Sequence, residues 1–219
     1  SIMLLPLEEE LSTTSIIDKI LQVYGNKAEG KEETVKTKNE VRLKKKAVII
    51  DRDGTINREV EYLHEPEKFV LEKNVLEGIK KMQDKSFKII VITTQAGIGL
   101  GYFTKEDFFK VNKAMLGAMN KAGIIIDKIY FATHSKTQDG KNAKYPLMER
   151  AREELDLDFK QCYAIGDKTG DLDAGKQFGC KTIAVKTGHG CNDKQYQLTP
   201  DYTAEDLLDA AAFIEKDNV

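Results

Sequence analysis

The sequence predicts an α/β protein: a Rossmann-like parallel sheet with helices on both faces and no large cap domain. Three observations predict it. From Ala47 onward, short apolar, β-branched runs alternate with helical patterns, the signature of strands joined by crossover helices. The chain has 219 residues, which suits one such domain plus an appendage. The intervals from Asp53 to Thr93 (40 residues) and from Thr93 to Lys144 (51 residues) already hold core helices and strands. Neither has room for a second folded layer over the sheet.

Residues 1–43 stand apart as an N-terminal helix and charged linker, with the main domain at 44–219. Ser15-x-x-Asp18 has the form of a capping box, and Ile16, Ile17, Ile20, Leu21 and Tyr24 follow at helical spacing up to Gly25. Asn26–Glu40 is a mixed-charge stretch with hardly any apolar residues and reads as a solvated linker. A lone apolar helix cannot bury itself, so the 15–24 helix docks on the main domain, self-associates with another copy, or belongs to something cut away.

In the main domain the strand signals fall at Ala47–Ile50, Lys88–Thr94, Lys128–Thr133, Cys162–Ile165 and Lys181–Val185. Helical patterns cover roughly 74–85, 104–122, 144–155, 170–178 and 204–216. Thr104-x-x-Asp107 caps the second of these and Gly123 ends it. Lys44-Lys45-Lys46 reads as a solvated run protecting a sheet edge. Cys162 and Cys180 read as small buried hydrophobes, and His64, His134 and His189 as polar surface.

Composition narrows the function. Lys+Arg 34 against Asp+Glu 36 gives a net charge of −2, which argues against nucleic acid as a partner. No apolar run approaches the ~18 residues of a membrane helix. The three cysteines (Cys162, Cys180, Cys191) include no CxxC pair, so the expected setting is a reducing cytoplasm.

In a parallel sheet the ligand sits beyond the carboxyl ends of the strands. The first strand ends in Asp51-Arg52-Asp53-Gly54-Thr55, the second in Thr93-Thr94-Gln95-Ala96-Gly97, and the fourth in Gly166-Asp167-Lys168-Thr169-Gly170-Asp171. Asp51, Asp53 and Asp167 therefore converge at one edge. Like charges at close range repel, and a hard divalent cation resolves the conflict. Oxygen-only ligands suit Mg²⁺, which takes part of its shell from a substrate phosphate. The hydroxyls and Gly-rich turn after the second strand complete an anion pocket. The implied chemistry is phosphoryl transfer on a small-molecule phosphate ester.

The constellation resembles the haloacid dehalogenase superfamily of phosphatases. Within it, residues 45–190 are similar to the D-glycero-D-manno-heptose-1,7-bisphosphate 7-phosphatases and their histidinol-phosphatase relatives. The strings that carry the resemblance are Asp51-Arg-Asp-Gly-Thr-Ile-Asn57, Tyr62-Leu-His-Glu65, Thr93-Thr-Gln-Ala-Gly-Ile98, Gly166-Asp-Lys168 and Lys186-Thr-Gly-His-Gly190.

The resemblance implies a Mg²⁺-dependent phosphomonoesterase for a phosphosugar or sugar bisphosphate. Asp51 would be the nucleophile and Asp53 the acid and base. Thr93 would hold the phosphoryl oxygen, and Lys144 or Lys141 would neutralise its charge. Asp51, the Asp53 backbone carbonyl and Asp167 would bind Mg²⁺, and Lys168 and Asp171 would shape the metal loop. Glu59, Tyr62, Thr94, Gln95 and Lys168 fall to substrate binding.

The sequence departs from the family where relatives carry zinc. Phe131–Pro146 contains no Cys, so no zinc is expected. Ala143 stands where an Arg is usual, Tyr145 where a Pro is, and Thr94 where an Asn is. Specificity then falls to the loops 57–66 and 134–144. Two other readings compete: a polynucleotide 3′-phosphatase, and a non-catalytic regulatory or binding module on the same fold.

Overall fold

The computed structural model describes residues 44–217, and the 15–24 helix expected from sequence lies outside them. Six strands form one all-parallel sheet: β1 (Ala47–Ile50), β2 (Lys88–Thr94), β3 (Lys128–Ala132), β4 (Tyr163–Gly166), β5 (Lys181–Val185) and β6 (Tyr202–Ala204). Their order is β3-β2-β1-β4-β5-β6. The order reverses direction at β1, between β2 and β4, and this is the crevice where an open α/β sheet binds ligands.

Among the described residues the α-helices are α1 (Val75–Asp84), α2 (Ala96–Gly99), α3 (Lys105–Lys121), α4 (Lys144–Leu155), α5 (Thr169–Gln177) and α6 (Leu207–Asp217). Alternation along β1 sends Val48 and Ile50 to one face, with α1, α3 and α6, through Ile79, Met82, Met115, Met119 and Ile214. Ala47 and Ile49 face the other side with α4 and α5, through Met148, Ala151 and Ala174. Both faces are covered, so the strands read as continuous apolar runs. Each large side chain so buried contributes roughly 1.5–3 kcal/mol. Burial pushes the Cys162 thiol up to about 12, which leaves it an inert part of this core.

The sequence reading holds for β1, β2, β5 and α4 to the residue. The capping box of α3 is present, with the Asp107 N–H donating to Thr104 Oγ1 at 3.2 Å. Gly123 ends that helix at φ 69°.

Two elements depart from it. β6 has no counterpart in the sequence reading, whose last helix begins at the strand's final residue, Ala204. Instead Asp206 caps α6, accepting the N–H groups of Leu208 and Asp209 at 2.9 and 3.1 Å, so the helix begins at Leu207. Three residues are too few to show a strand period. The four-residue α2 lies in the turn after β2. The lysine run at 44–46 protects no edge: β1 is central, Lys45 bridges to Leu157, and Lys46 lies 4.3 Å over the Phe87 ring. Among the described residues no helix is long and apolar enough to cross a membrane.

Candidate active site

The carboxyl ends of β1, β2 and β4 lie side by side because the three strands are hydrogen-bonded neighbours in parallel. The Asp51 N–H donates to the Ile165 carbonyl at 2.9 Å, so the ladder continues to the first acidic residue. Gly54 then turns the chain at φ 80°, where a Cβ would lie 2.2 Å from Asp167 Oδ2. Gly188, at φ 54°, approaches the same oxygen from the segment after β5. Only glycine fits either place.

Asp51, Asp167 and Asp171 are buried, and each offers a carboxylate oxygen within 4.8 Å of the others. Burial and mutual repulsion push Asp51 up to about 6, although Lys144 opposes the shift. Burial and the Asp51 charge push Asp167 up to about 6 as well. Oxygen-only donors whose negative charge is held at such cost fit a hard divalent cation.

Lys144 enters from the first turn of α4. Its Nζ donates to Asp51 Oδ1 at 2.5 Å, to the Ile92 carbonyl at 2.9 Å and to Asp171 Oδ1. Burial alone would lower its pKa, but Asp171 and Asp51 outweigh that and hold the ammonium above its ordinary range. Lys141 is exposed and pairs with Asp139 at 2.7 Å, away from the cluster. Of the two lysines that sequence left open, the structure brings Lys144 in. Asp171 has both oxygens engaged: the second accepts the Lys168 N–H at 3.1 Å.

Asp53 is gripped by Gln95 and by two groups to which sequence reasoning gave no role, Arg52 and Asn57. Arg52, fully buried, donates to it at 2.7 Å, Asn57 at 3.0 Å and Gln95 at 2.9 Å. Burial raises the Asp53 pKa, but the Arg52 guanidinium and these donors outweigh it and hold the carboxyl below its usual range. Arg52 is supported by Asn112 at 3.3 Å and by the Phe108 ring at 5.3 Å. A charged residue between two acids in the first string was the available signal.

Gln95, expected at the substrate, lines the cavity and also acts as a brace: its amide donates to Thr93 Oγ1 at 2.8 Å. Thr93 itself is buried beside it. His189 is not plain surface. Its main-chain N–H donates to Asp167 Oδ2 at 2.8 Å, and its ring Nδ1 lies 3.0 Å from the same oxygen.

Asp51, Asp53, Thr93, Lys144 and Asp171 line one cavity of about 500 Å³. Glu59, Tyr62, Thr94 and Lys168 line its walls, with Glu59 Oε2 3.5 Å from the Lys168 ammonium. Both expected loops contribute, 57–66 through residues 59–63 and 134–144 through Ser135, Asn142 and Lys144. Gln195 and Tyr196 form a further wall that the sequence did not suggest.

The architecture and sequence have known counterparts. A HAD-hydrolase-like family model matches residues 140–210. The D-glycero-beta-D-manno-heptose-1,7-bisphosphate 7-phosphatase of Haemophilus ducreyi is 30% identical over 180 residues, 78% of this chain and 98% of that protein. The D-glycero-D-manno-heptose-1,7-bisphosphate 7-phosphatase of Chlorobaculum tepidum is 32% identical over 75% of this chain and 92% of its own. The D,D-heptose 1,7-bisphosphate phosphatase structure from Burkholderia thailandensis matches with TM-score 0.61 and 26% identity, covering 78% of this chain and 99% of that one. The corresponding phosphatase from B. bronchiseptica matches with TM-score 0.70 at 24% identity, over 79% of this chain and 99% of that one, a likeness of fold. With relatives of this kind matched over nearly their whole length, the chain is a phosphatase and belongs to the haloacid-dehalogenase-like family that includes the heptose-bisphosphate phosphatases.

Proposed function

We propose that this phosphatase is a Mg²⁺-dependent phosphomonoesterase of phosphosugars, including sugar bisphosphates, working through an aspartyl-phosphate on Asp51. The observation that carries the reading is the Asp51 carboxylate held by the Lys144 ammonium in a cavity that Thr93 and Asp53 also line. The heptose bisphosphate named for the relatives supports a phosphosugar as the substrate class.

In the first half, an Asp51 oxygen attacks phosphorus, and the bond from phosphorus to the leaving alcohol breaks. Asp53 gives that alcohol its proton, which it must first take up: Arg52, Asn57 and Gln95 keep the free carboxyl ionised, and the negative charge of a bound phosphate beside it would favour its protonated form. Thr93 and Lys144 hold the transferring oxygens, whose charge the ammonium stabilises. In the second half, Asp53 takes a proton from water as the water attacks phosphorus. The bond to Asp51 breaks, and inorganic phosphate leaves. A divalent cation held by Asp51, Asp167 and the Asp53 carbonyl would offset carboxylate repulsion and polarise the phosphoryl oxygens. Asp171 works beside them by aiming Lys144.

The test is phosphate release from sugar monophosphates and bisphosphates, histidinol phosphate and a 3′-phosphorylated oligonucleotide, with and without Mg²⁺. Mg²⁺-dependent release that favours the sugar esters is expected. Release from the oligonucleotide alone would replace the substrate class.

Stability should show the same site without turnover. Asp51 and Asp167 have folded pKa values near 6 against 3.8 unfolded, so between these values the folded state binds more protons. Their contribution to stability therefore falls as pH rises through 4 to 6 and stays low above. In chelator, the expected melting temperature is lower at pH 7.5 than at pH 5. Mg²⁺ should raise it by several degrees at pH 7.5 and little at pH 5, and Asp167→Asn should lose most of that rise. Equal Mg²⁺ effects at both pH values would refute the assignment.

A further inference from the structure

Lys144 has to be placed as well as paired. It opens α4 directly after a loop, 134–141, that is mostly exposed. The residue at the helix N-cap, Ala143, has no side-chain acceptor to close the first turn. Asn142 supplies one from a position further out: its Oδ1 accepts the Lys144 N–H at 3.0 Å. The same amide reaches across to α5. Its Nδ2 donates to the Gly170 carbonyl at 2.7 Å and to Asp173 Oδ2 at 3.0 Å. Asp173 Oδ2 also accepts the Tyr145 hydroxyl at 2.8 Å. The residues on either side of Lys144, Asn142 and Tyr145, are thus joined on one carboxylate of α5.

This bracket fixes a distance that bears on chemistry. Gly170 immediately precedes Asp171, whose carboxylate accepts from the Lys144 ammonium. Asn142 therefore ties the main chain of the lysine to the main chain of its ion partner. With both held, the ammonium is aimed at Asp51 Oδ1 and the Ile92 carbonyl. Asn142 is buried and lines the cavity. An amide has two N–H donors, and both of these are spent on α5, so none is left for a phosphate. Its oxygen attracts no anion. A side chain set at the site with nothing to offer the substrate acts through what it holds.

We propose that Asn142, anchored with Tyr145 on Asp173, is the positioning residue of Lys144 and sets the lysine where its ammonium meets the transferring phosphoryl group. The proposal rests on the phosphomonoesterase reading for what that ammonium does, and adds the device that aims it.

The test has one readout free of turnover. In proton–nitrogen NMR spectra of protein carrying isotope-labelled lysine, a buried, hydrogen-bonded ammonium gives a protected signal. The Lys144 signal is the one lost in Lys144→Met. It is expected in wild type and should shift or broaden in Asn142→Ala. The second readout is hydrolysis of p-nitrophenyl phosphate and of sugar phosphates with Mg²⁺. Asn142→Ala should lower kcat about tenfold and change KM by less than about twofold. On a Lys144→Met background the same substitution should cost less than about twofold, because the group it aims is gone. Asn142→Asp keeps an acceptor for the Lys144 N–H but sets a second carboxylate against Asp173. Adding Asp173→Asn restores a hydrogen bond between the two positions and should recover several-fold of the kcat lost in Asn142→Asp. Ile79→Val, in the core on the other face of the sheet, should lower Tm and move neither readout. An ammonium signal unchanged in Asn142→Ala would overturn the proposal. So would a full tenfold loss on both backgrounds, or no recovery with Asp173→Asn. A wild type that hydrolyses no ester, yet shows the expected change in the ammonium signal, would fail the phosphomonoesterase reading and leave the bracket standing.

Discussion

Asp51→Asn is expected to lower kcat by at least about 10³–10⁴-fold on every phosphate ester, while the protein stays folded. The amide has nearly the shape of the carboxylate but lacks the charge that attacks phosphorus. Stability should move the other way. Asp51 is buried beside Asp167 and Asp171, and its charged form is disfavoured there. Removing one of three crowded negative charges relieves repulsion, and Lys144 keeps Asp171 as its partner. The expected melting temperature in chelator at pH 7.5 is therefore equal to or above that of wild type. Mass spectrometry of wild type quenched in acid during turnover should show one added phosphoryl group, absent from the variant. An Asp51→Asn protein with activity within tenfold of wild type would refute nucleophilic catalysis at this position. A variant that unfolds would show instead that the carboxylate serves structure first.

Much of this arrangement was legible in the sequence because it is written in local terms. The β1 run Ala47–Ile50 is apolar on both faces, which only a doubly covered strand tolerates. Asp51 and Asp53 follow it with a glycine where the chain must turn, and Asp167 follows β4 in the same way. Parallel neighbours bring such strand ends together whatever the loops do. What was illegible depends on partners distant in the chain. Arg52 faces Asn112 on α3, 60 residues away, and no spacing rule connects them. His189 and Tyr196 reach the site because the segment after β5 folds back onto Asp167 and Thr169. Gln95 lines the cavity as its place in a substrate-contacting stretch suggested, and its amide is also engaged by Asp53, Thr93 and Arg52. A residue type and a position give the neighbourhood of a side chain, and the surrounding hydrogen bonds decide whether it has any capacity left for substrate.

Lys144→Met should separate the electrostatic and structural roles of the buried ammonium. Activity is expected to fall about 10²–10³-fold, the cost of removing one donor from a developing oxyanion. Stability should fall as well, because Asp51 and Asp171 lose the cation that lies between them. Breaking a buried pair in this way costs roughly 3–5 kcal/mol, or about 10 °C for a domain of this size. The loss should be smaller at pH 5 than at pH 7.5, since the two acids, already pushed upward by burial, can take up protons instead. Adding Asp171→Asn to Lys144→Met removes one of the two stranded charges, so the double variant should regain much of the melting temperature. It should regain none of the activity, because no group replaces the ammonium beside the phosphoryl oxygens. Recovery of stability without turnover would show that Asp171 acts through Lys144, whereas joint recovery of both would mean that the single variant was inactive only because its site had collapsed. Activity within tenfold of wild type in the single variant would assign charge neutralisation to another residue.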